Sequence, residues 1–289
     1  MTRISRRRFL RGALGVGAAG VATAGYAVGI EPVWEKVRHL KLPLRGLSDT
    51  WRGWRVVQVS DLHAGPRVSP AYLRRTLASL AGLKPDLVLV TGDWVTMHDR
   101  VPVDRLDDAM RALVAATVEQ GVPVVGCLGN HDYGHAWTDR ALANELAERL
   151  CDWGVMLLRN DVTEIDGLYV AGVDDLWSPD FSPAAVAARL PEDRDALVLC
   201  HNPDGIDTPA FGEGRWAGVM VSGHTHGGQC RFPLVGRPIL PMRNHRYAAG
   251  WVDVSPMRKL YVNVGLGHSH RVRFGVRPEV TVFELVAAS

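Results

Sequence analysis

Val219-Met220-Val221-Ser222-Gly223-His224-Thr225-His226 is an apolar run that breaks on a glycine and ends in two histidines. Runs this short and this rich in Val predict a strand buried on both faces, with polar residues arriving only at its carboxyl end. The arrangement recurs upstream. Val56-Val57-Gln58-Val59-Ser60 ends in Asp61-Leu62-His63, and Leu87-Val88-Leu89-Val90 ends in Thr91-Gly92-Asp93. Val124-Val125-Gly126-Cys127-Leu128 ends in Gly129-Asn130-His131-Asp132, and Leu197-Val198-Leu199-Cys200 ends in His201-Asn202. Five predicted strands therefore deliver Asp, Asn or His from their carboxyl ends. In an open α/β sheet those ends converge on one crevice, so residues far apart in the chain become neighbours there.

Working outward, helical patterns are predicted over Pro70 to Ala81, Asp104 to Glu119, Thr138 to Leu150 and Pro183 to Leu190, with another apolar run at Leu168 to Gly172. Alternation of this kind indicates βαβ units. Beyond Gly227 the runs Gly250 to Asp253, Leu260 to Val264 and Val280 to Leu285 have no helix between them, which predicts a more antiparallel segment. The fold class is α/β, with residues 54–289 as its domain. Residues 31–53 carry Pro32, Pro43, Trp34 and Trp51 among scattered charges, and read as a connector with a first edge strand. A chain of 289 residues that is 47% apolar can bury a full core, which excludes disorder.

The net charge of +2 misleads, because residues 1–30 hold five arginines and no acid. Taking those five from 33 leaves 28 bases against 31 acids, a net −3 for the remainder. A slightly acidic body argues against a nucleic-acid-binding surface. Ser5-Arg6-Arg7-Arg8-Phe9-Leu10-Arg11 is followed by an uncharged stretch, Gly12 to Ile30, in the order of an export signal. It resembles a twin-arginine leader, so residues 1–30 are expected to meet the twin-arginine export machinery. The protein would then lie in the periplasm or on the outer face of the cytoplasmic membrane, with the leader either cleaved or kept as an anchor. Gly15-x-Gly17-x-x-Gly20 matches a dinucleotide fingerprint in letters only, since no strand precedes it.

Asp61 with His63, and His224 with His226, are two apart, so an extended segment can aim both members of each pair the same way. Histidines, carboxylates and a carboxamide make a mixed N/O set, suited to Mn, Fe, Zn or Ni rather than to Mg or Ca alone. Asp93 has two oxygens and can bridge two ions. Singly, a strand-end Asp caps a helix and a lone His is ordinary; five coincident strand ends indicate a metal site. The four cysteines form no C-x-x-C pair and supply no thiolate site.

The series Asp61-x-His63, Gly92-Asp93, Gly129-Asn130-His131-Asp132, His201 and Gly223-His224-x-His226 resembles, in order and across residues 55–226, the calcineurin-like metallophosphoesterases. The Gly223 to Gln229 run and the leader resemble an exported bacterial branch. The resemblance implies a four-layer αββα sandwich, two packed mixed β-sheets flanked by helices. It implies that Asp61, His63 and His226 with Asp93 hold one divalent ion, and Asn130, His201 and His224 with the bridging Asp93 a second. It further implies phosphoester hydrolysis by a hydroxide between the ions, with His131 as general acid. In relatives that are protein phosphatases an acid three residues after the bridging aspartate orients this histidine; here that place is Thr96, and Asp132 is the nearest acid in sequence.

Diester and monoester substrates are both open at this stage. A UDP-2,3-diacylglucosamine-type lipid pyrophosphate is an alternative substrate, suited to a membrane-associated enzyme. A metal-binding module without turnover is the alternative of another class, disfavoured because His131 is kept. His268, His270 and Arg273, after Gly265-Leu266-Gly267, are candidates to contact substrate phosphate at the rim. Trp94 and Trp177 are candidates for an apolar wall.

Overall fold

Twelve strands pair into two six-stranded sheets in the structure, a computed structural model that describes residues 6–96, 103–214 and 216–288. Residues 1–5 of the leader lie outside the described residues. The first sheet contains β1 (Lys36–Leu44), β2 (Arg55–Val59), β3 (Leu87–Thr91), β4 (Val124–Cys127) and β5 (Met156–Leu157). The second contains β6 (Asp161–Ile165), β7 (Leu168–Val173), β8 (Asp195–Cys200), β9 (Ala217–Ser222), β10 (Gly250–Ser255) and β11 (Arg258–Val262). The last strand, β12 (Glu279–Ala287), returns to the first sheet, giving the orders β1-β12-β2-β3-β4-β5 and β10-β11-β9-β8-β7-β6.

Alternation along the strands builds the layers. Val56, Leu87, Leu89 and Val125 face Leu197, Leu199, Val219 and Val221 in one core between the sheets. Their sequence neighbours Val57, Val59, Val88, Val90 and Val124 point the other way. That outer face is covered by helices, which follow an N-terminal helix α1 (Arg6–Gly25) in the chain: α2 (Pro70–Ala78), α3 (Val103–Ala116) and α4 (Arg140–Asp152). Ser69 caps α2, its hydroxyl accepting from Tyr72 N at 3.4 Å, and Asp139 caps α4, accepting from Leu142 N at 3.0 Å. The short helices α5 (Pro183–Ala187) and α6 (Pro209–Gly212) bring Val186 and Phe211 onto the outer face of the second sheet, against Val198 and Met220. The result is the expected αββα sandwich with mixed sheets.

Two strands were not legible as such, β5 and β6. The first edge strand expected within residues 31–53 is β1, which pairs in parallel with β12 along all nine residues. Its alternate residues face water at the sheet edge, so charge and Pro43 interrupt the apolar signal. β5 is two residues long, and β6 is a polar edge strand. Past Gly227 the expected antiparallel pairing occurs between β10 and β11 and between β12 and β2, whereas β11 runs parallel to β9.

The N-terminal residues form α1, whose Leu14, Val16 and Val21 are about three-quarters exposed. Leu14–Val33 is long and apolar enough to cross a membrane by length and composition. The fingerprint-like glycines lie inside this helix, not in a phosphate-binding turn. Below it the chain docks on the body: the buried Glu31 carboxylate accepts from Gly275 N (3.0 Å) and Val276 N (2.7 Å), and Arg273 N donates to Ala27 O at 2.9 Å.

Candidate metal centre

The carboxyl ends of β2, β3 and β4 meet those of β8 and β9 across the top of the sandwich. There the backbone turns sharply. Asp61 (φ 52°), His63 (φ 47°), Asp93 (φ 54°), His224 (φ 69°) and His226 (φ 47°) are all left-handed. For residues with a side chain this costs about 1–3 kcal/mol each, and it clusters at functional sites. Two glycines make room. A Cβ on Gly129 would collide with the Asp93 carboxylate, and one on Gly223 with Ser60 Oγ and Asp61 Oδ2.

Seven predicted ligands gather in two groups that share Asp93. In the first, His63 Nε2 lies 3.0 Å from His226 Nε2, 3.5 Å from Asp93 Oδ2 and 4.0 Å from Asp61 Oδ1. His226 Nε2 is 3.4 Å from Asp61 Oδ1. In the second, His201 Nδ1 can only donate to the Thr91 carbonyl, at 2.7 Å. Its buried Nε2 faces Asp93 Oδ2 at 3.2 Å. His224 Nε2 donates to the Pro241 carbonyl at 2.9 Å, so its bare Nδ1 faces Asn130 Oδ1 at 3.0 Å. Acceptors aimed at acceptors in a buried site are unfavourable unless a cation lies between them. The donor set thus fits divalent metal: carboxylate, carboxamide and neutral imidazole, with second-layer carbonyls fixing which nitrogen is free.

Electrostatics agree. Burial holds His63 and His226 well below the usual histidine range and His224 at about 3, so these rings keep their lone pairs. Burial raises Asp61 to about 7, with Asp93 adding to it. For Asp93 burial is outweighed by His201, His131 and His63, which hold it well below the usual carboxylate range. His201 moves the other way: burial opposes its charge, but Asp93 and then Asp61 push it well up. The carboxylates draw positive charge into the crevice.

His131 is half-buried and packs edge-on against His63, ring centroids 4.9 Å apart, while its backbone N donates to Asp93 Oδ1 at 2.9 Å. Asp132 is committed to its own loop. Its oxygens accept from Gly129 N (2.8 Å) and Val95 N (3.2 Å), turned back into the loop. Thr96 serves a different ring, with Oγ1 2.7 Å from His63 Nδ1. Sequence reading missed that role because it needs the pairing of the Ala64 and Val95 segments, which no local pattern announces. We expect Thr96→Val to weaken metal binding about 10- to 100-fold, measured by titration with a metal-sensitive dye, since an unanchored ligating ring loses orientation. Unchanged affinity would remove Thr96 from the site.

The rim candidates separate. Arg273 is fully buried and donates to the carbonyls of Val264 (2.9 Å), Gly265 (3.2 Å) and Val276 (3.3 Å). It braces the 264–267 loop and lies 3.4 Å from His226 Nδ1, instead of reaching toward substrate. His268 is buried too, bonded to the Arg67 carbonyl at 3.1 Å and held at about 4 by burial. His270 is exposed, with its backbone tied to Gln229. Neither Arg273 nor His268 faces the cleft, because the loop that carries them folds against backbone carbonyls. Trp94 is a core residue bonded to Cys127 O at 2.9 Å. Trp177 does stand beside the site, edge-on to His224 at 4.5 Å and stacked on Trp137 at 4.6 Å. The buried Asp175 holds it in place, accepting from Trp177 N at 2.8 Å.

Comparison with known proteins agrees with this geometry. Residues 55–228 match the family described as calcineurin-like phosphoesterase. The chain is similar to phosphodiesterase YaeI of Escherichia coli (34% identical, 98% of this chain and 100% of that one) and to the uncharacterized metallophosphoesterase YkuE of Bacillus subtilis (30%, 99% of each). It is also similar to the UDP-2,3-diacylglucosamine pyrophosphatase LpxG of Chlamydia trachomatis (28%, covering 91% and 93%). With a clustered metal-ligand set at its sheet ends and these relatives along nearly its whole length, the chain belongs to the calcineurin-like metallophosphoesterases, enzymes that hydrolyse phosphoester bonds.

Proposed function

We propose that this enzyme is a phosphodiesterase using two divalent cations, one held by Asp61, His63, His226 and Asp93, the other by Asp93, Asn130, His201 and His224. The carrying observation is the acceptor-to-acceptor contact of His224 Nδ1 with Asn130, with His201 Nε2 3.2 Å from Asp93, beside the three-ligand group of Asp61, His63 and His226. Bound there, divalent cations neutralise phosphoryl oxygens and supply a water deprotonated near neutral pH. The chain's own residues do the rest. Asp93 is fixed by the His131 backbone N–H, so bridging carboxylate and acid are placed by one loop. The His131 ring, beside His63 and more exposed than the ligands, is positioned to protonate the departing oxygen. The Trp137 and Trp177 pair walls the side next to His224.

The leader supports a location as well: export by the twin-arginine route, with Leu14–Val33 as signal or anchor and the cleft outside the cytoplasm. A lipid-linked pyrophosphate is the second reading, favoured by that same apolar helix. Turnover of bis-p-nitrophenyl phosphate against p-nitrophenyl phosphate, with Mn²⁺ or Zn²⁺ added back after chelation, tests the proposal. We expect the diester to be preferred at least about tenfold, the equivalent of ~1.4 kcal/mol of transition-state binding. A monoester preference, or rates indifferent to chelation, would refute it.

A further inference from the structure

Just past the last ligand, Gln229 takes a left-handed backbone (φ 55°), and its carboxamide bolts two segments together. The Nε2 group donates to the carbonyls of His270 and Val272, both at 2.8 Å, and Oε1 accepts from Ser269 N (3.1 Å) and His270 N (3.4 Å). Phe274 N to Gln229 O (3.0 Å) and Arg231 N to Phe274 O (2.7 Å) continue the seam. Between these segments and the 238–241 stretch runs a groove of about 500 Å³. It starts at Thr225 and His226, passes Pro241, whose carbonyl holds His224, and runs out between Phe232, Ile239 and Val272. The wall built from Gln229 and the 269–274 segment is fixed by these hydrogen bonds before anything enters.

The mouth is apolar. Leu234 is 99% exposed, Ile239 73% and Val235 72%, with Phe232 beside them. Clustered apolar exposure of this kind marks an association surface. What covers it is indicated by the leader. Phe232 stacks on Phe274 at 5.3 Å, and Phe274 packs edge-on at 6.5 Å against Tyr26, the residue that follows α1. The groove mouth and the helix able to cross a membrane therefore leave the body at one place. Arg231 and Arg271, exposed on the same two segments, suit the anionic surface of a bilayer.

We infer that this groove receives one hydrocarbon chain of a membrane-embedded phosphoester, so that the substrate is a lipid whose phosphate reaches the metal centre from the bilayer. The inference rests on the phosphoesterase reading above and adds the chemistry of the group attached to the phosphate. A buried methylene improves binding about fourfold, so chain length is a direct probe of an apolar groove.

The test uses the full detergent-solubilised chain and a series of alkyl p-nitrophenyl phosphates from methyl to octyl, read as the octyl-to-methyl ratio of kcat/KM within each protein. In the parent we expect a ratio of about 10² or more. In Ile239→Asp it should fall to within about threefold of unity, because a carboxylate then sits in the chain's path, and Ile239→Leu should restore it. Detergent partitions the esters identically for all three proteins, and metal content by elemental analysis confirms that each is folded. Equal ratios in parent and Ile239→Asp, with the methyl ester turned over, would overturn the groove while leaving the phosphoesterase standing. Failure of the metal-loaded parent to turn over any ester in the series would overturn the phosphoesterase reading, and the lipid substrate with it.

Discussion

Asp93→Asn is expected to lower occupancy at both cation positions and to cut turnover by about 10³-fold or more, since several kcal/mol of charge stabilisation go with the metals. The substitution changes little else. A carboxamide oxygen can still accept the His131 backbone N–H that Asp93 Oδ1 accepts at 2.9 Å, so the 129–132 loop keeps its anchor. What disappears is the negative charge shared between His63 Nε2 at 3.5 Å and His201 Nε2 at 3.2 Å. Substituting an outlying ligand, by contrast, touches one group alone. Elemental analysis of the purified variant, beside the parent, checks the prediction; full two-ion stoichiometry in Asp93→Asn would contradict the bridging role.

His131→Ala should leave metal content intact and still lose about 10²- to 10⁴-fold in rate. The ring touches the edge of His63, and the backbone N–H that steadies Asp93 survives the change. The loss should depend on the leaving group. An alkoxide needs a proton to depart, whereas p-nitrophenoxide leaves largely unaided, so the deficit should be greatest for alkyl esters. A uniform deficit across leaving groups, or none, would take the acid role away from His131. Asp132 itself accepts from Gly129 N and Val95 N.

Much of the fold and site could be read in the chain itself, for a definite reason. Strands such as Val56–Val59 and Leu87–Val90 are buried on both faces, so their composition is continuous and apolar and their ends stand out as abrupt changes to Asp, Asn or His. The strand ends come from both sheets, β2, β3 and β4 from the first and β8 and β9 from the second, and their meeting brings five separate motifs into one crevice. β1 and β6 had no such signal, since edge strands show water half their side chains.

The chain alone therefore determined which Asp, Asn and His side chains would gather at the sheet ends, because that is a matter of side-chain type and of position at a strand end. Tertiary structure alone decided what surrounds them: Thr96 on His63, Pro241 O on His224, Trp177 against the second group, Arg273 beneath the 264–267 loop, and the groove behind His226. These contacts join residues from 9 (Arg273 and Val264) to 47 (Trp177 and His224) apart, through hydrogen bonds and packing that have no sequence period. Periodicity reports which way a residue faces within its own element; only the packing of one element on another fixes what it meets there.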